Sequence, residues 1–201
     1  NIPLVVLNIG GISNFTYLDG EDEFYGSDCG PGNALMDVYC QNFLNRPFDK
    51  NGEHAKDGEV HIPSLNKMLA HPFFKRRHPK STGKEIFNIT FIPKKLLKKS
   101  SNDVLATLTE LTAVCIKKSM HTLKEIPHKV IICGGGQKNK FLVSSIEQHI
   151  EMALTSSSEY GFDPQAIEAM AFGWMARQRV CRNPLLVKKN KGLLGTLTKF
   201  K

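Results

Sequence analysis

The 201-residue sequence has no CxxC, and its five cysteines (Cys29, Cys40, Cys115, Cys133 and Cys181) are an odd number. That fits reduced thiols better than a disulfide framework, and it disfavours a zinc site, since no cysteine pair has ligand spacing. Reduced thiols in a cytoplasmic setting are expected. No apolar run approaches the roughly 18 residues that a spanning helix needs, and no basic-then-apolar leader precedes a cleavage site. A membrane partner is therefore not expected. Neither GxxxxGK[ST] nor GxGxxG occurs, so the common phosphate loop and the dinucleotide fingerprint are both missing. Asn1 rather than Met stands first, which suggests a piece of a longer or trimmed chain.

Charge of one sign is also missing from parts of the chain. Residues 177–201 contain no acid and carry +8, and residues 71–100 carry nine Lys/Arg against Glu85 alone, again +8. The remainder sums to −8, giving the overall +8. Two basic segments are compatible with nucleic acid, an anionic small molecule or a solvated surface. Aromatics do not interleave the basic residues as single-strand binding requires, and the glycine-rich segments sit in acidic surroundings. No nucleic-acid partner is expected.

What is present is a 41% hydrophobic chain with α/β patterning. Leu4–Ile9 reads as a buried strand ending in Gly10–Gly11, and residues 12–19 alternate as a second strand. A turn over 20–23 leads to a short third strand, 24–26. Asn33 fits a helix N-cap, and the helix 34–45 places Leu35, Tyr39 and Phe43 on one face. Residues 46–100, broken by five prolines, read as an insertion with short helical pieces. A long helix follows from Asn102, with Val104, Leu108, Leu111 and Cys115 as its stripe. Then come a strand (129–133), the cluster Gly134–Gly136, a helix (140–150), a strand (152–157) and a helix opened by Asp163–Pro164. This order predicts an α/β fold whose mixed sheet, antiparallel at the start and parallel afterwards, is flanked by helices. Residues 1–180 are expected to form one lobe, and residues 181–201 a basic tail.

Two strands ending in glycine clusters favour anion binding, since backbone N–H groups reach a phosphate with no Cβ in the way. The segments LNIGGISN, DCGPGNALMD, PKSTGKEIFN, ATLTELTA, CGGGQKN and IEAMAFGWMA, in that order, resemble the anhydro-N-acetylmuramic acid kinase family. The resemblance runs from about Val5 to Ala176. It implies one lobe of the actin/hexokinase/Hsp70-like (ribonuclease H-like) fold, with ATP and Mg²⁺ as cofactors and an amino sugar as substrate. The implied reaction phosphorylates O6 of 1,6-anhydro-N-acetylmuramic acid and opens the anhydro ring with water. The product is N-acetylmuramic acid 6-phosphate, in the recycling of cell-wall peptidoglycan.

The resemblance assigns roles residue by residue. Asp28 is the catalytic base, while Glu168 and Asn33 contact the sugar. Asn8, Gly10, Gly11 and Asn14 in the first motif, with Gly134, Gly135, Gly136 and Asn139 in the fifth, serve the nucleotide phosphates. No metal-ligating protein residue is assigned. By the residues alone, an Asx-turn acid beside glycine is the favoured reading of Asp28, whereas the apolar neighbours of Glu168 favour a buried or cleft-facing acid over one on the polar edge of its helix. Lys80–Glu85 matches a family segment whose role does not follow from its chemistry, a helix cap at Ser81 or Thr82 being the plain alternative. Family members carry another lobe with its own phosphate loop, which this chain lacks. The expectations are therefore a kinase half that is inactive alone, completed in cis or in trans and tending to dimerise, or an inactive remnant that binds nucleotide or a partner.

Overall fold

In the computed structural model the described residues are 2–20, 24–183, 185–187 and 190–192, with side chains described through 183. The chain divides into two compact units, residues 1–164 and 165–201.

The first unit is built on a five-stranded sheet of order β3-β2-β1-β4-β5. Its strands are β1 (Leu4–Ile9), β2 (Ile12–Leu18), β3 (Phe24–Pro31), β4 (Lys129–Cys133) and β5 (Leu154–Ser156). β1, β2 and β3 form an antiparallel meander, and β4 and β5 add parallel to β1. The period-2 pattern of β1 decides its faces. Val5, Leu7 and Ile9 are fully buried, while Leu4, Val6 and Asn8 are half-buried on the other face.

Helices cover the first of those faces. They are α1 (Ala34–Tyr39), α2 (Glu53–Lys56), α3 (Ile62–Leu69), α4 (Pro72–Lys75), α5 (Ser101–Met120) and α6 (Lys140–Ile150). α5 is the spine of this layer. Its expected stripe, Val104, Leu108, Leu111 and Cys115, is wholly buried, with Leu105 and Ile116 beside it. Its cap is Ser100, whose Oγ accepts the Asp103 N–H at 3.1 Å, rather than the expected Asn102. Asp103 in the first turn and Lys117 and Lys118 in the last complement the helix dipole. The long residues 34–45 begin as α1 and continue as a wider π-type turn, Cys40–Leu44, closed by left-handed Asn45. That extra winding breaks the 3.6-residue stripe. Leu35 and Tyr39 are buried, but Phe43 is left 51% exposed, stacked on Tyr39.

The third strand is longer than expected, running through Pro31, so Asp28 stands within a strand and not in a turn. The residues between α4 and α5 pack as an aromatic cluster. Phe73 and Phe87 lie edge-to-face at 5.5 Å, and Phe87 and Phe91 at 5.0 Å. The second unit contains α7 (Ile167–Val180) and a hairpin of β6 (Leu185–Val187) and β7 (Asn190–Gly192). α7 starts at Ile167 after Ala166, so Asp163–Pro164 precede the helix and do not cap it. The rest of the basic tail lies outside the described residues.

Candidate functional site

All three glycine-rich corners of the first unit meet at one edge of the sheet. Gly10–Gly11 joins β1 to β2, Pro31–Gly32 leaves β3, and Gly134–Gly136 leaves β4. The register explains why. Ile12 pairs with Pro31, and Asn8 with Cys133, so the carboxyl ends of β1, β3 and β4 lie side by side. In open α/β sheets that edge is where ligands bind.

The corner at Asn33 is held by backbone rather than by its side chain. Gly32 N–H and Ala34 N–H donate to Gly11 O (2.9 and 3.1 Å), and Asn33 N–H to Gly10 O (2.8 Å). Asn33 sits at the cap position in helical conformation and its side chain caps nothing. The first N–H of α1, that of Ala34, is thus consumed within the corner. Thr112 Oγ1 on α5 donates to Gly32 O at 3.0 Å, tying the corner to the spine.

The glycines of the β4 corner differ in purpose. A Cβ on Gly134 would collide with Asn8 Oδ1 and Ile9 O, and its φ of +83° already disfavours other residues. A Cβ on Gly136 would collide with Ile9. These two are glycine because β1 is too close. Gly135 alone faces open space. Asn139 caps α6 through Oδ1, accepting the Leu142 N–H at 3.0 Å.

Asp28 belongs to a polar row across three strands, because Asn8 pairs with Asn14 and Asn14 with Asp28. It lies on the face opposite buried Phe15 and Ser27. Residues 78–82 run along the free edge of β3 as a strap. Asp28 N–H donates to Lys80 O (2.9 Å), Lys80 N–H to Ser27 Oγ (2.9 Å), and Ser27 Oγ contacts His78 Nδ1 at 2.6 Å. The Thr82 N–H donates to Asp28 Oδ2 at 2.7 Å. Asp28 is therefore held by a residue 54 positions away, which excludes a local Asx-turn as the reason for the acid. Burial raises its pKa, and the Thr82 bond partly offsets that.

The strap gives the Lys80–Glu85 segment a place that its chemistry alone did not reveal. Neither Ser81 nor Thr82 caps a helix. Thr82 Oγ1 is buried without a protein partner. Lys84 lies over the β1 corner, where a Cβ on Gly11 would sit 2.8 Å from Lys84 Cε. Asp37 on α1 is pushed up to about 6 by burial, with Lys84 pulling the other way. Lys84 and the strap are the residues that sequence reasoning left unassigned, and the motif was the only available signal.

Glu168 stands in the first turn of α7, in the second unit, and is exposed. The expectation that its apolar neighbours bury it is not met. Met170, Phe172 and Trp174 are exposed too, and α7 has no buried residue. Among the described residues, no three His, Cys, Asp or Glu side chains converge to hold a metal. No described helix is long and apolar enough to cross a membrane.

Residues 1–197 match the family described as anhydro-N-acetylmuramic acid kinase. A relative of that name from Gamma-proteobacterium EBAC31A08 is 47% identical over 203 residues, covering 99% of this chain and 56% of its own length. Another from Pasteurella multocida (strain Pm70) is 40% identical over 185 residues, covering 90% of this chain and 49% of its own. The chain thus spans about half the length of the curated relatives it matches. Among solved structures, the activator of the 2-hydroxyisocaproyl-CoA dehydratase from Clostridium difficile, determined with bound ADPNP, shares the fold. Its TM-score is 0.57 at 14% identity, covering 92% of this chain and 64% of that one. The sheet order and this likeness give the actin/hexokinase/Hsp70-like fold, and by sequence the chain belongs to the anhydro-N-acetylmuramic acid kinase family.

Proposed function

We propose that the protein carrying this chain phosphorylates 1,6-anhydro-N-acetylmuramic acid with ATP, giving N-acetylmuramic acid 6-phosphate in peptidoglycan recycling in the cytoplasm. The observation that carries this reading is the placement of Asp28, at the glycine-lined sheet edge of a family member, clamped by the strap. Water attacks the anomeric carbon and its proton passes to the Asp28 carboxylate. The C1–O6 bond breaks, O6 takes the γ-phosphoryl group, and ADP leaves. A base within hydrogen-bond reach of that water is worth roughly 10²- to 10⁴-fold in rate.

The corners suit ATP phosphates. A Cβ on Gly135 would meet nothing, one on Gly10 would come no closer than 3.6 Å to a neighbour, and Lys84 brings a cation to Gly11. Asn8, Asn14 and Asn139 frame the same edge. Mg²⁺ characteristically rests on substrate phosphates with one or two carboxylates and several waters. Bound with ATP, Mg²⁺ would neutralise phosphate charge. Glu168 and Asn33 are proposed as sugar contacts, and residues 1–180, with the insertion at 46–100, as one lobe.

The test joins the chain to the part of the 47%-identical relative that it does not span. Turnover of the anhydro-sugar in ¹⁸O-water should place label at the anomeric hydroxyl and none in the phosphate. Label in the phosphate, or no product, would contradict the reading.

A further inference from the structure

On the core side of β3, away from the Asp28 carboxylate, a pocket of about 390 Å³ lies between β3, the end of α5 and residues 74–80. Arg76, Arg77, Lys80 and Lys118 line it, together with His78 and Ser119, and no carboxylate does. Among the described residues the ion pair found is His149–Glu110, which involves none of these four cations, although Glu110 shares α5 with Lys118. Lys80 Nζ and Arg76 both lie over the Phe73 ring, at 4.6 and 6.0 Å from its centroid. The Phe73 ring is itself buried and gathers half-buried Lys80 and exposed Arg76 over one face.

The cluster is also pre-set by its backbone. Lys80 is fixed to β3 at both ends of its peptide, through Ser27 Oγ and the Asp28 N–H. Burial, then Arg76 and Lys118, draws the Lys80 pKa down, with Cys115 and Cys29 opposing. Holding like charges together without a counter-charge is unfavourable. A dianion in the pocket removes that cost. His78 is neutral at pH 7, its pKa lowered to about 4 by burial and then by Lys80. Ser27 Oγ already accepts the Lys80 N–H, so its own proton suits His78 Nδ1 and leaves Nε2–H as the ring's donor. Guanidinium groups match phosphate oxygens two at a time. The volume exceeds that of a bare phosphate and falls in the range of small-molecule sites.

We propose that this pocket binds the phosphoryl group of a small phosphomonoester, held by Arg76, Arg77, Lys80 and Lys118. Binding here does not depend on the kinase reading above.

Isothermal titration of the full chain with glucose 6-phosphate, at ionic strength fixed with sodium chloride, tests the site. Glucose is the uncharged comparison. The expected result is one-site binding of glucose 6-phosphate and none of glucose. The Arg76→Gln/Lys118→Gln double variant alters two exposed side chains and should weaken that binding at least tenfold. Binding at the glycine corners would survive this change, so equal affinity in wild type and variant overturns the proposal. So does a glucose 6-phosphate response no larger than the salt response. If circular dichroism shows that the double variant misfolds, Arg77→Gln alone carries the same expectation of weakened binding.

Discussion

Two carboxylates show how burial sets what an acid can do. Asp37 has a folded pKa of about 6, above its ordinary value, because burial disfavours the charge. A raised folded pKa means that the native state binds the proton more tightly. The associated stability is fully present below the unfolded pKa of roughly 4 and is lost as pH rises through about 6. Asp37→Asn should therefore raise the melting temperature at pH 7 and change it little at pH 4. Partial exposure and the nearby Lys84 keep the gain on the order of 2–4 °C. Thermal unfolding at the two pH values checks this, and destabilisation at pH 7 would mean that the Asp37 carboxylate makes a net favourable contact. Asp28 has the same direction of shift, so activity should fall as acid protonates it above the ordinary carboxylate range.

The β4 corner separates packing glycines from an open one. Gly134→Ala forces a side chain into Asn8 and Ile9 at a positive φ and should destabilise by about 1–3 kcal/mol. Gly135→Ala meets nothing and should leave stability within roughly 0.5 kcal/mol. If the Gly135 N–H serves a phosphate, the same change weakens nucleotide affinity in the completed kinase. Urea unfolding and nucleotide titration of the two variants separate these effects. At the strap, Thr82→Pro deletes the N–H that holds Asp28 Oδ2. A hydrogen bond to a charged group contributes about 1.5–3 kcal/mol, so the acid limb of the rate profile should move up by about one to two pH units. An unmoved limb would show that Thr82 does not support the carboxylate.

Much of the sheet was legible, because β1, β4 and the buried stripe of α5 follow hydrophobic period alone. Asp28's strand was not. Its glycines and Pro31 read as a turn, and what keeps residues 28–31 extended is pairing with β2 on one side and the strap on the other. That strap comes from 54 positions further along, a distance no local pattern crosses. The exposure of Glu168 was equally hidden, since apolar neighbours signal burial only when something covers them.

At the scale of the molecule, the odd cysteine count has a structural counterpart. Cys29, Cys40, Cys115 and Cys133 are buried free thiols, and Cys181 is exposed. Burial pushes Cys29 and Cys40 up to about 12, and Cys115 upward as well. Native protein should release one equivalent in a thiol titration and denatured protein all five. Fewer than five after unfolding without reductant would reveal a disulfide.

The central claim is that Asp28, clamped by the 78–82 strap at the glycine-lined edge, takes the proton from water. The direct measurement is kcat and KM for Asp28→Asn in the chain joined to the remainder of its relative, with thermal unfolding as the control for folding. This variant should keep a normal melting profile and a KM within a few-fold, with kcat lower by about 10²- to 10⁴-fold. An Asp28→Asn enzyme with near-normal kcat would contradict the claim.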